Sequence, residues 1–296
     1  MKRGRLPLTA LRSFEVAGRL GSFTRAAEEL FISQAAVSRQ VRELEAALGQ
    51  ALFERRHRSV HLTPVGEKLL SILTESFDEI GDFLDGIRSR EATSAVSISC
   101  EPSFAACWLV SHLPKFQDEN PEVDVTIDVD PRPIEFRSHQ ASFAIRHSAT
   151  ATSWPRVESR HLTDVFLTPV LSPVLLAQGS PPDQPTDLRR FGLLHEERRD
   201  VWQQWFEAAG AASPGLERGI VYADGGLALQ AALLGQGVAL IDERFAAEEI
   251  TAGRLVRPFK TSIPYGAYWL VTRRFDRLSG PASSFIRWLE MYFTSD

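Results

Sequence analysis

The sequence predicts an α+β multi-domain protein in three parts: a small helical module with a β-hairpin, one long helix, and a larger α/β body. Three observations support this prediction. Apolar residues recur every three or four positions through the first fifty residues, the same spacing continues between residues 66 and 91, and short apolar strands alternate with amphipathic helices from residue 92 onward. With 296 residues, 44% of them hydrophobic, the chain is long enough for two or three cores.

The first module, residues 1–65, begins with three short predicted helices. They start near residue 9, near Thr24 and at Ser33, and the third is the clearest. Ser33 is a typical N-cap, and Gly49 is a typical residue just past a helix end, so the third helix is predicted over 33–48. The residues predicted to face inward are Leu11, Phe14 and Ala17 on the first helix and Val37, Val41, Leu44 and Leu48 on the third.

A predicted β-hairpin with a basic tip follows over residues 52–62. A helix of small and polar residues fits the major groove of DNA, and a cationic hairpin beside it suits phosphates or the minor groove. Residues 1–66 hold eleven Lys or Arg against six Asp or Glu, whereas the rest of the chain holds twenty-two against thirty-two. Basic charge is therefore concentrated in the module predicted to meet DNA. The candidate DNA-contacting residues are Thr24, Ser33, Gln34, Ala35, Ser38, Arg39, Arg42, Arg55, Arg56 and Arg58.

Residues 66–91 are predicted to form a linker helix, with Thr63 as N-cap and Pro64 at the first helical position. Its apolar stripe favours pairing with a second copy as a coiled coil, which would place two reading modules on an inverted repeat. The alternative is a helix that lies on its own domain, because Gly66, Gly81 and Gly86 weaken it. The stripe consists of Leu70, Leu73, Phe77, Ile80, Leu84 and Ile87.

The body, residues 92–296, is predicted to alternate strands with helices, which indicates α/β layering. One helix carries Leu109 and Phe116, and the last helix carries Phe285, Trp288 and Leu289. Helix starts that follow strands present backbone N–H groups, so they are candidate anion sites. The predicted strands are 96–100, 123–129, 143–145, 166–171, 220–222, 238–241 and 268–271.

Several linked motifs resemble the amino-terminal domain of LysR-type transcriptional regulators. They lie at residues 8–14, 21–30, 33–41, 52–55 and 62–66. The resemblance covers the whole chain and is strongest to the branch that contains the glycine-cleavage activator and the β-lactamase regulator. It implies a winged helix-turn-helix DNA-binding domain at 1–65, a dimerisation helix at 66–91, and a two-lobed, periplasmic-binding-protein-like effector domain at 92–296. Lobe I would span about 92–167 and 269–296, and lobe II about 168–268.

The same resemblance implies partners and a ligand. A homodimer, which in this family commonly pairs into a homotetramer, would bind an inverted-repeat promoter site on double-stranded DNA, with RNA polymerase as a further partner. A small effector would bind between the lobes. Candidate pocket residues carried over from the matching segments are Ser103, Phe104, Arg146, His147, His195, Asp224 and Gly225.

These pocket residues suggest an amino-acid-like or carboxylate effector. Arg146 or a helix start would hold a carboxylate, while His195 or Asp224 would recognise an amine or hydroxyl. Structural roles remain open as alternatives: Ser103 and Asp224 as helix caps, Arg146 in an ion pair, and His195 as a buried histidine. The chain also departs from the branch pattern, with Ser142 at a usually acidic position and a rebuilt loop at 146–156.

Other classes of protein are disfavoured. A redox sensor using Cys100 and Cys107 is the alternative reading, although small buried hydrophobes are the commoner use of such cysteines. No nucleophile elbow, phosphate loop or metal-ligand pattern indicates an enzyme or a metal site, so we expect no cofactor. A purely structural role would lack salt-sensitive promoter binding. The absence of a signal or membrane-spanning stretch leads us to expect a cytoplasmic protein.

Overall fold

The computed structural model describes residues 6–56, 59–88, 94–130, 141–155, 157–177, 180–212 and 219–294. The chain divides into two compact units, Met1–Arg90 and Glu91–Asp296. Each unit has its own cluster of buried apolar residues.

The first unit contains four helices and a hairpin among its described residues. They are α1 (Leu8–Leu20), α2 (Phe23–Leu30), α3 (Gln34–Leu48), β1 (Phe53–Arg56), β2 (Ser59–Leu62) and α4 (Pro64–Arg88). The inward residues predicted for α1 are buried, as are Val37, Val41 and Leu44 of α3. Leu48 was predicted to face inward and is exposed instead, because the last turn of α3 extends past the buried cluster.

Helices α2 and α3 end in the same hydrogen-bonded turn. After α3, Gly49 has φ 64°, and the N–H groups of Gly49 and Gln50 donate to carbonyls of the last helical turn. After α2, the equivalent position is Phe31, with φ 55° and the same bonding pattern. This left-handed conformation suits glycine because a Cβ atom crowds the backbone there. Phe31 therefore adopts a strained conformation, and its side chain is 94% exposed.

The hairpin is fixed to the helices on both sides of it. The Glu45 carboxylate accepts hydrogen bonds from the N–H groups of Leu52 and Phe53, at 2.8 and 3.2 Å. On α4, a Cβ atom at Gly66 would lie 2.2 Å from the carbonyl oxygen of Leu52. Position 66 therefore requires glycine, because the backbone of Leu52 passes too close for any side chain. Glycine is otherwise unfavourable inside a helix.

The apolar stripe of α4 divides into two parts. Leu70 and Leu73 are buried in the cluster of the first unit, and a Cβ atom at Gly18 of α1 would lie 3.2 Å from Leu70 Cδ1. Further along the same stripe, Ile80 and Leu84 are 55% and 53% exposed. The first part of the stripe therefore packs on its own unit, as the alternative interpretation held, and the second part has an open apolar edge.

The second unit is built on one eight-stranded mixed sheet. Its strands are β3 (Ala95–Cys100), β4 (Asp124–Val129), β5 (Phe143–Ser148), β6 (Glu158–Val170), β7 (Leu193–Glu196), β8 (Val221–Tyr222), β9 (Val238–Asp242) and β10 (Ile263–Thr272). Their order is β4-β3-β5-β10-β6-β9-β7-β8. Strands β4, β3 and β5 are parallel, as are β9, β7 and β8, and the antiparallel pair β6 and β10 joins these two half-sheets.

Helices pack on both half-sheets. The first half-sheet carries α5 (Pro102–Phe104), a π-helical turn (Ala105–Leu109), α6 (Val110–Glu119) and the last helix α11 (Gly280–Thr294). The second half-sheet carries α7 (Pro173–Leu176), α8 (Asp200–Ala208), α9 (Gly225–Leu233) and α10 (Glu243–Thr251). The 3-10 turns Pro185–Phe191 and Phe275–Arg277 complete the described elements. The carboxyl ends of β3 and β7 lead to the strand-end residues Glu101 and Glu196, on which the candidate site is built.

Three strands differ markedly from prediction, and one of them, β10, begins at Ile263, five residues before the predicted start at residue 268. Strand β6 begins at Glu158, eight residues before the predicted start, because its polar first half gains its partners from β10 rather than from its own apolar pattern. Strand β7 was not predicted at all. It has only four residues, and its pairing with β9 and β8 comes from sequence positions far away.

Candidate DNA-reading surface and effector cleft

Helix α3 presents the predicted reading residues on its exposed side. The Ser33 hydroxyl accepts a hydrogen bond from Ala36 N–H at 3.2 Å and so caps the helix. Gln34, Ala35, Arg39 and Arg42 are exposed and Ser38 is half-buried. This surface combines small side chains with two guanidinium groups, which suits approach to a groove.

The other predicted DNA-contacting residues lie on neighbouring elements. Thr24 is exposed in the first turn of α2. Arg55 and Arg56 belong to β1, which pairs with β2, and Arg58 lies outside the described residues.

In the second unit, the residues predicted for the pocket separate into two groups. Ser103 and Gly225 meet directly: the Gly225 N–H donates to Ser103 Oγ at 2.8 Å. Ser103 belongs to the first half-sheet and Gly225 to the second, so this hydrogen bond closes the cleft between them. Asp224 begins α9 next to Gly225 and accepts from Leu227 N–H at 3.0 Å, which is the capping role considered as its alternative.

Arg146 and Phe104 do not fit the roles predicted for them. Arg146 is buried, and its guanidinium donates to the carbonyls of Ser99 and Ile145 and to the Ser99 hydroxyl. Burial lowers its pKa. The two terminal nitrogens of the guanidinium are thus engaged by the sheet itself, while its buried Nε has no partner among the described residues. Phe104 is fully buried and packs against Trp108 and Tyr268, so it is a core residue.

His147 and His195 occupy positions beside the cleft. His147 Nε2 lies 2.6 Å from the Tyr265 carbonyl oxygen, and the two rings stack with centroids 5.4 Å apart. His195 is buried on β7, and it lines a cavity of about 10 Å³ together with Glu196, Arg198 and Tyr265. Such a volume holds about one water molecule. A larger groove of about 400 Å³ lies between α11 and Arg160, and none of the predicted pocket residues lines it.

The structure adds two residues that the sequence did not single out. Glu101 follows β3 and accepts hydrogen bonds from Ser103 N–H at 3.0 Å, from Phe104 N–H at 2.9 Å and from the Tyr268 hydroxyl at 3.2 Å. Glu196 ends β7, and its Oε1 lies 3.5 Å from Ser103 Oγ. The predicted anion site at the start of α5 is therefore already filled by Glu101. An acidic residue directly before a proline at a helix start was a signal that could have identified Glu101.

The cleft is acidic. Burial is the main cause that raises the pKa of Glu196 to about 7, with repulsion from Glu101 and Glu197 next, while the Gly225 N–H lowers it. Burial likewise raises the pKa of Asp242, at the end of β9, to about 6. A concentration of carboxylates disfavours a purely anionic ligand and favours one that carries positive charge.

The two cysteines are kept as thiols. Cys100 is fully buried and Cys107 is half-buried. Burial, with Glu101 as the next cause, raises the pKa of the Cys107 thiol to about 12 and also raises that of Cys100. Since the thiolate is the reactive form, neither group has the properties of a redox sensor. The redox alternative has no support.

Membrane-spanning helices and metal-binding groups of side chains are both absent from the described residues. Within these ranges, no helix is both long and apolar enough to cross a bilayer. In the same part of the chain, no three His, Cys, Asp or Glu side chains are grouped as a metal site requires.

Comparison with known proteins agrees with this architecture. Residues 8–67 match the family model described as "Bacterial regulatory helix-turn-helix protein, lysR family", and residues 89–294 match "LysR substrate binding domain". The Escherichia coli (strain K12) "Glycine cleavage system transcriptional activator" is 38% identical over 284 residues, which cover 96% of this chain and 92% of the relative. The "HTH-type transcriptional activator AmpR" of Pseudomonas aeruginosa is 38% identical over 271 residues, covering 91% of this chain and 90% of the relative.

Solved structures show the same fold. The effector domain of AmpR from Pseudomonas aeruginosa superimposes with a TM-score of 0.58 at 28% identity, over 68% of this chain and 96% of that one. Full-length AphB of Vibrio cholerae has a TM-score of 0.54 at 18% identity, over 99% of this chain and all of that one. These relatives are transcriptional regulators and not enzymes. The chain belongs to the LysR family of DNA-binding transcriptional regulators, with a helix-turn-helix domain followed by an effector-binding domain.

Proposed function

We propose that this regulator binds an inverted-repeat promoter site as a homodimer and responds to a small amino-acid-like effector held between its two half-sheets. It acts on chromosomal DNA in the cytoplasm. Its relatives carry the name of transcriptional activators, which supports RNA polymerase as a further partner.

The DNA contacts are proposed from the exposed side of α3. Gln34 in its first turn would pair with adenine, and Ser38 and Arg39 would reach base edges or phosphates. Arg39 is 70% exposed in its side chain, and only a 3.9 Å contact with Glu43 competes for its guanidinium within the described ion pairs. It is therefore available to DNA.

A substitution in α3 tests this assignment. We expect Arg39→Ala to weaken specific binding by about 1 to 3 kcal/mol, because a side chain that contacts a base edge discriminates between sequences. By comparison, Arg56→Ala should weaken binding to all sequences alike through loss of a phosphate contact. Fluorescence anisotropy would compare a duplex selected from a randomised pool with a scrambled duplex. An Arg39 variant with wild-type affinity for both would contradict the assignment.

The dimer is proposed from the second part of the α4 stripe. Ile80 and Leu84 lie on one face of α4 and leave an apolar edge exposed, as a helix that pairs with another helix does. Two such dimers would form the tetramer expected of the family. Self-pairing also explains how two reading modules reach the two half-sites.

The effector site is proposed from a single observation, the hydrogen bond between Ser103 and Gly225. This bond closes the cleft directly, so a molecule that enters the cleft must replace it and thereby change how the half-sheets meet. The surrounding carboxylates favour a ligand with an amine, while the Gly225 N–H at the start of α9 suits an acceptor oxygen. An amino acid carries both groups.

A ligand screen tests the effector proposal. The duplex selected from a randomised pool would be titrated with the full-length protein in the presence of each of the twenty amino acids. We expect at least one of them to change DNA affinity and to raise the thermal unfolding temperature of the protein. A panel without effect on either quantity, alongside a clear shift with a neutral non-amine metabolite, would refute the proposal.

A further inference from the structure

The Glu196 carboxyl group lies beside the hydrogen bond between Ser103 and Gly225. Ser103 Oγ accepts a hydrogen bond from the Gly225 N–H and therefore directs its own proton toward Glu196 Oε1, 3.5 Å away. A Cβ atom at Gly225 would lie 3.1 Å from both Glu196 oxygens and 3.2 Å from Ser103 Oγ. The Gly225 backbone, the Ser103 hydroxyl and the Glu196 carboxyl group thus lie close together, and a side chain at position 225 would obstruct them.

The hydrogen bond between Ser103 and Glu196 is long for a bond to a carboxyl group. Bonds to an ionised carboxylate usually measure between about 2.5 and 2.9 Å. Ser103 is 4% exposed, so the packing around it fixes its position. Ser103 is therefore a weak donor to Glu196, whose other donor in the closed cleft is the Gly225 N–H.

The groups that face Glu196 from the elements around it are mostly acidic. Glu101 follows β3, Asp224 precedes α9, and Glu197 is the next residue along the chain. Tyr265 of β10 is also close enough to sense the charge of Glu196, which raises the pKa of its phenol after burial. The nearby cation Arg198 forms an ion pair with Asp200. The field at Glu196 thus favours protonation in the closed cleft and attracts an external cation.

We infer that Glu196 selects the ammonium group of the effector, which replaces the Ser103 hydroxyl as the donor to the Glu196 carboxylate. This inference rests on the proposed effector site and names the residue that recognises one end of the ligand. The Ser103 hydroxyl is a single neutral donor, whereas an ammonium group supplies three donors and a positive charge. Where the Glu196 carboxyl is protonated beforehand, its proton is released to the buffer as the ammonium binds.

The neighbouring residue provides a matched control. Glu196→Gln keeps the shape of the side chain and removes its negative charge, so it tests charge recognition with little change in packing. Glu197→Gln removes the same charge one residue away, at an exposed position. The pair therefore separates direct contact from the general field of the cleft.

Three matched probes test whether the protein recognises the amine or the carboxylate of the ligand. Each amino acid found to bind would be compared with its des-amino acid and with its decarboxylated amine, for example L-alanine with propionate and ethylamine. Titration calorimetry on the full-length protein would measure each affinity. We expect removal of the amine to weaken binding to the wild type at least about tenfold. Glu196→Gln should weaken binding of the amino acid and of the amine by a similar factor, and Glu197→Gln should weaken both by a much smaller factor.

Proton release gives a second measurement on the unmodified protein. Calorimetry near pH 6.5 in two buffers of different ionisation enthalpy should show proton release on binding in the wild type and in Glu197→Gln. Glu196→Gln should release none. This comparison holds even where Glu196→Gln alters the fold, since the wild-type result stands alone.

The outcomes distinguish the inference from the proposed function. Equal affinity of an amino acid for the wild type and Glu196→Gln, or equal affinity of the wild type for the amino acid and its des-amino acid, would overturn the role of Glu196 and leave the cleft as the effector site. Absence of binding by every amino acid and amine would overturn both.

Discussion

Phe31 shows how one residue can carry conformational strain in a small domain. It adopts the left-handed backbone conformation that Gly49 adopts in the equivalent turn after α3, yet it has a bulky side chain. The ring is almost fully exposed, so little packing compensates for the strain. The first unit therefore folds with a conformation here that a different residue would adopt more easily.

Replacing Phe31 should stabilise the protein. We expect Phe31→Asn to raise the free energy of unfolding by about 1 kcal/mol, because asparagine enters the left-handed region more readily. Gly49→Ala is the reverse control: a Cβ atom there meets nothing within 4 Å, so only backbone strain acts, and we expect a loss of about 1 kcal/mol. Urea unfolding followed by circular dichroism measures both. A stability loss in Phe31→Asn would show that the ring makes a stabilising contact.

Glu196 should make the stability of the effector-binding domain depend on pH. Its pKa rises from the ordinary 4.5 to about 7 in the folded protein, so the folded state holds the proton more tightly than the unfolded state. The contribution of Glu196 to the free energy of unfolding is then greatest below about pH 4.5 and falls as the pH rises toward 7. The total loss is about 3 kcal/mol. Asp242, whose pKa rises to about 6, acts in the same direction.

The measurement compares thermal unfolding at pH 5 and pH 8. Wild type should unfold at a lower temperature at pH 8, and Glu196→Gln should lose the larger part of this difference because glutamine does not titrate. Adding Asp242→Asn should reduce the difference further, because asparagine does not titrate either. An identical pH dependence in wild type and Glu196→Gln would contradict this account.

At the level of elements, α4 has two different environments along one stripe. Leu70 and Leu73 pack on the first unit, whereas Ile80 and Leu84 are exposed on the same face. A substitution in the second part should therefore affect self-association without unfolding the unit.

We expect Leu84→Asp to raise the dimer dissociation constant at least about tenfold, because a carboxylate would be buried against an apolar partner helix. Val65→Asp is the control, since Val65 is 46% exposed on α4 but lies off the stripe. Sedimentation velocity at micromolar concentration would detect the change. Equal association of the two variants would place the dimer contact elsewhere.

The elements that could be predicted from sequence are those with local signals. Helix α3 was predicted closely because Ser33 and Gly49 mark its ends and its apolar spacing marks its face. Strand β7 and the first half of β6 could not be predicted, because their partners β9 and β10 are distant in sequence and their own residues show little alternation. Short strands are defined by pairing more than by composition.

At the level of the whole molecule, the cleft could be predicted only in part. Ser103 and Gly225 were identified as pocket residues, and the structure brings them into contact across the two half-sheets. Glu196 was missed because its importance comes from neighbours such as Glu101, 95 positions earlier in the chain. Arg146 was assigned to a ligand because it lies in a segment that resembles the family pattern, and only the fold shows that Ser99 engages it.

The small volume of the cavity beside Glu196 has a kinetic consequence. With room for about one water molecule, it would admit the proposed amino-acid effector only when the elements that line the cleft have moved apart. The observed association rate should then stop rising at high ligand concentration and level off at the rate of spontaneous opening. The apparent dissociation constant would exceed the intrinsic one by the inverse of the open fraction.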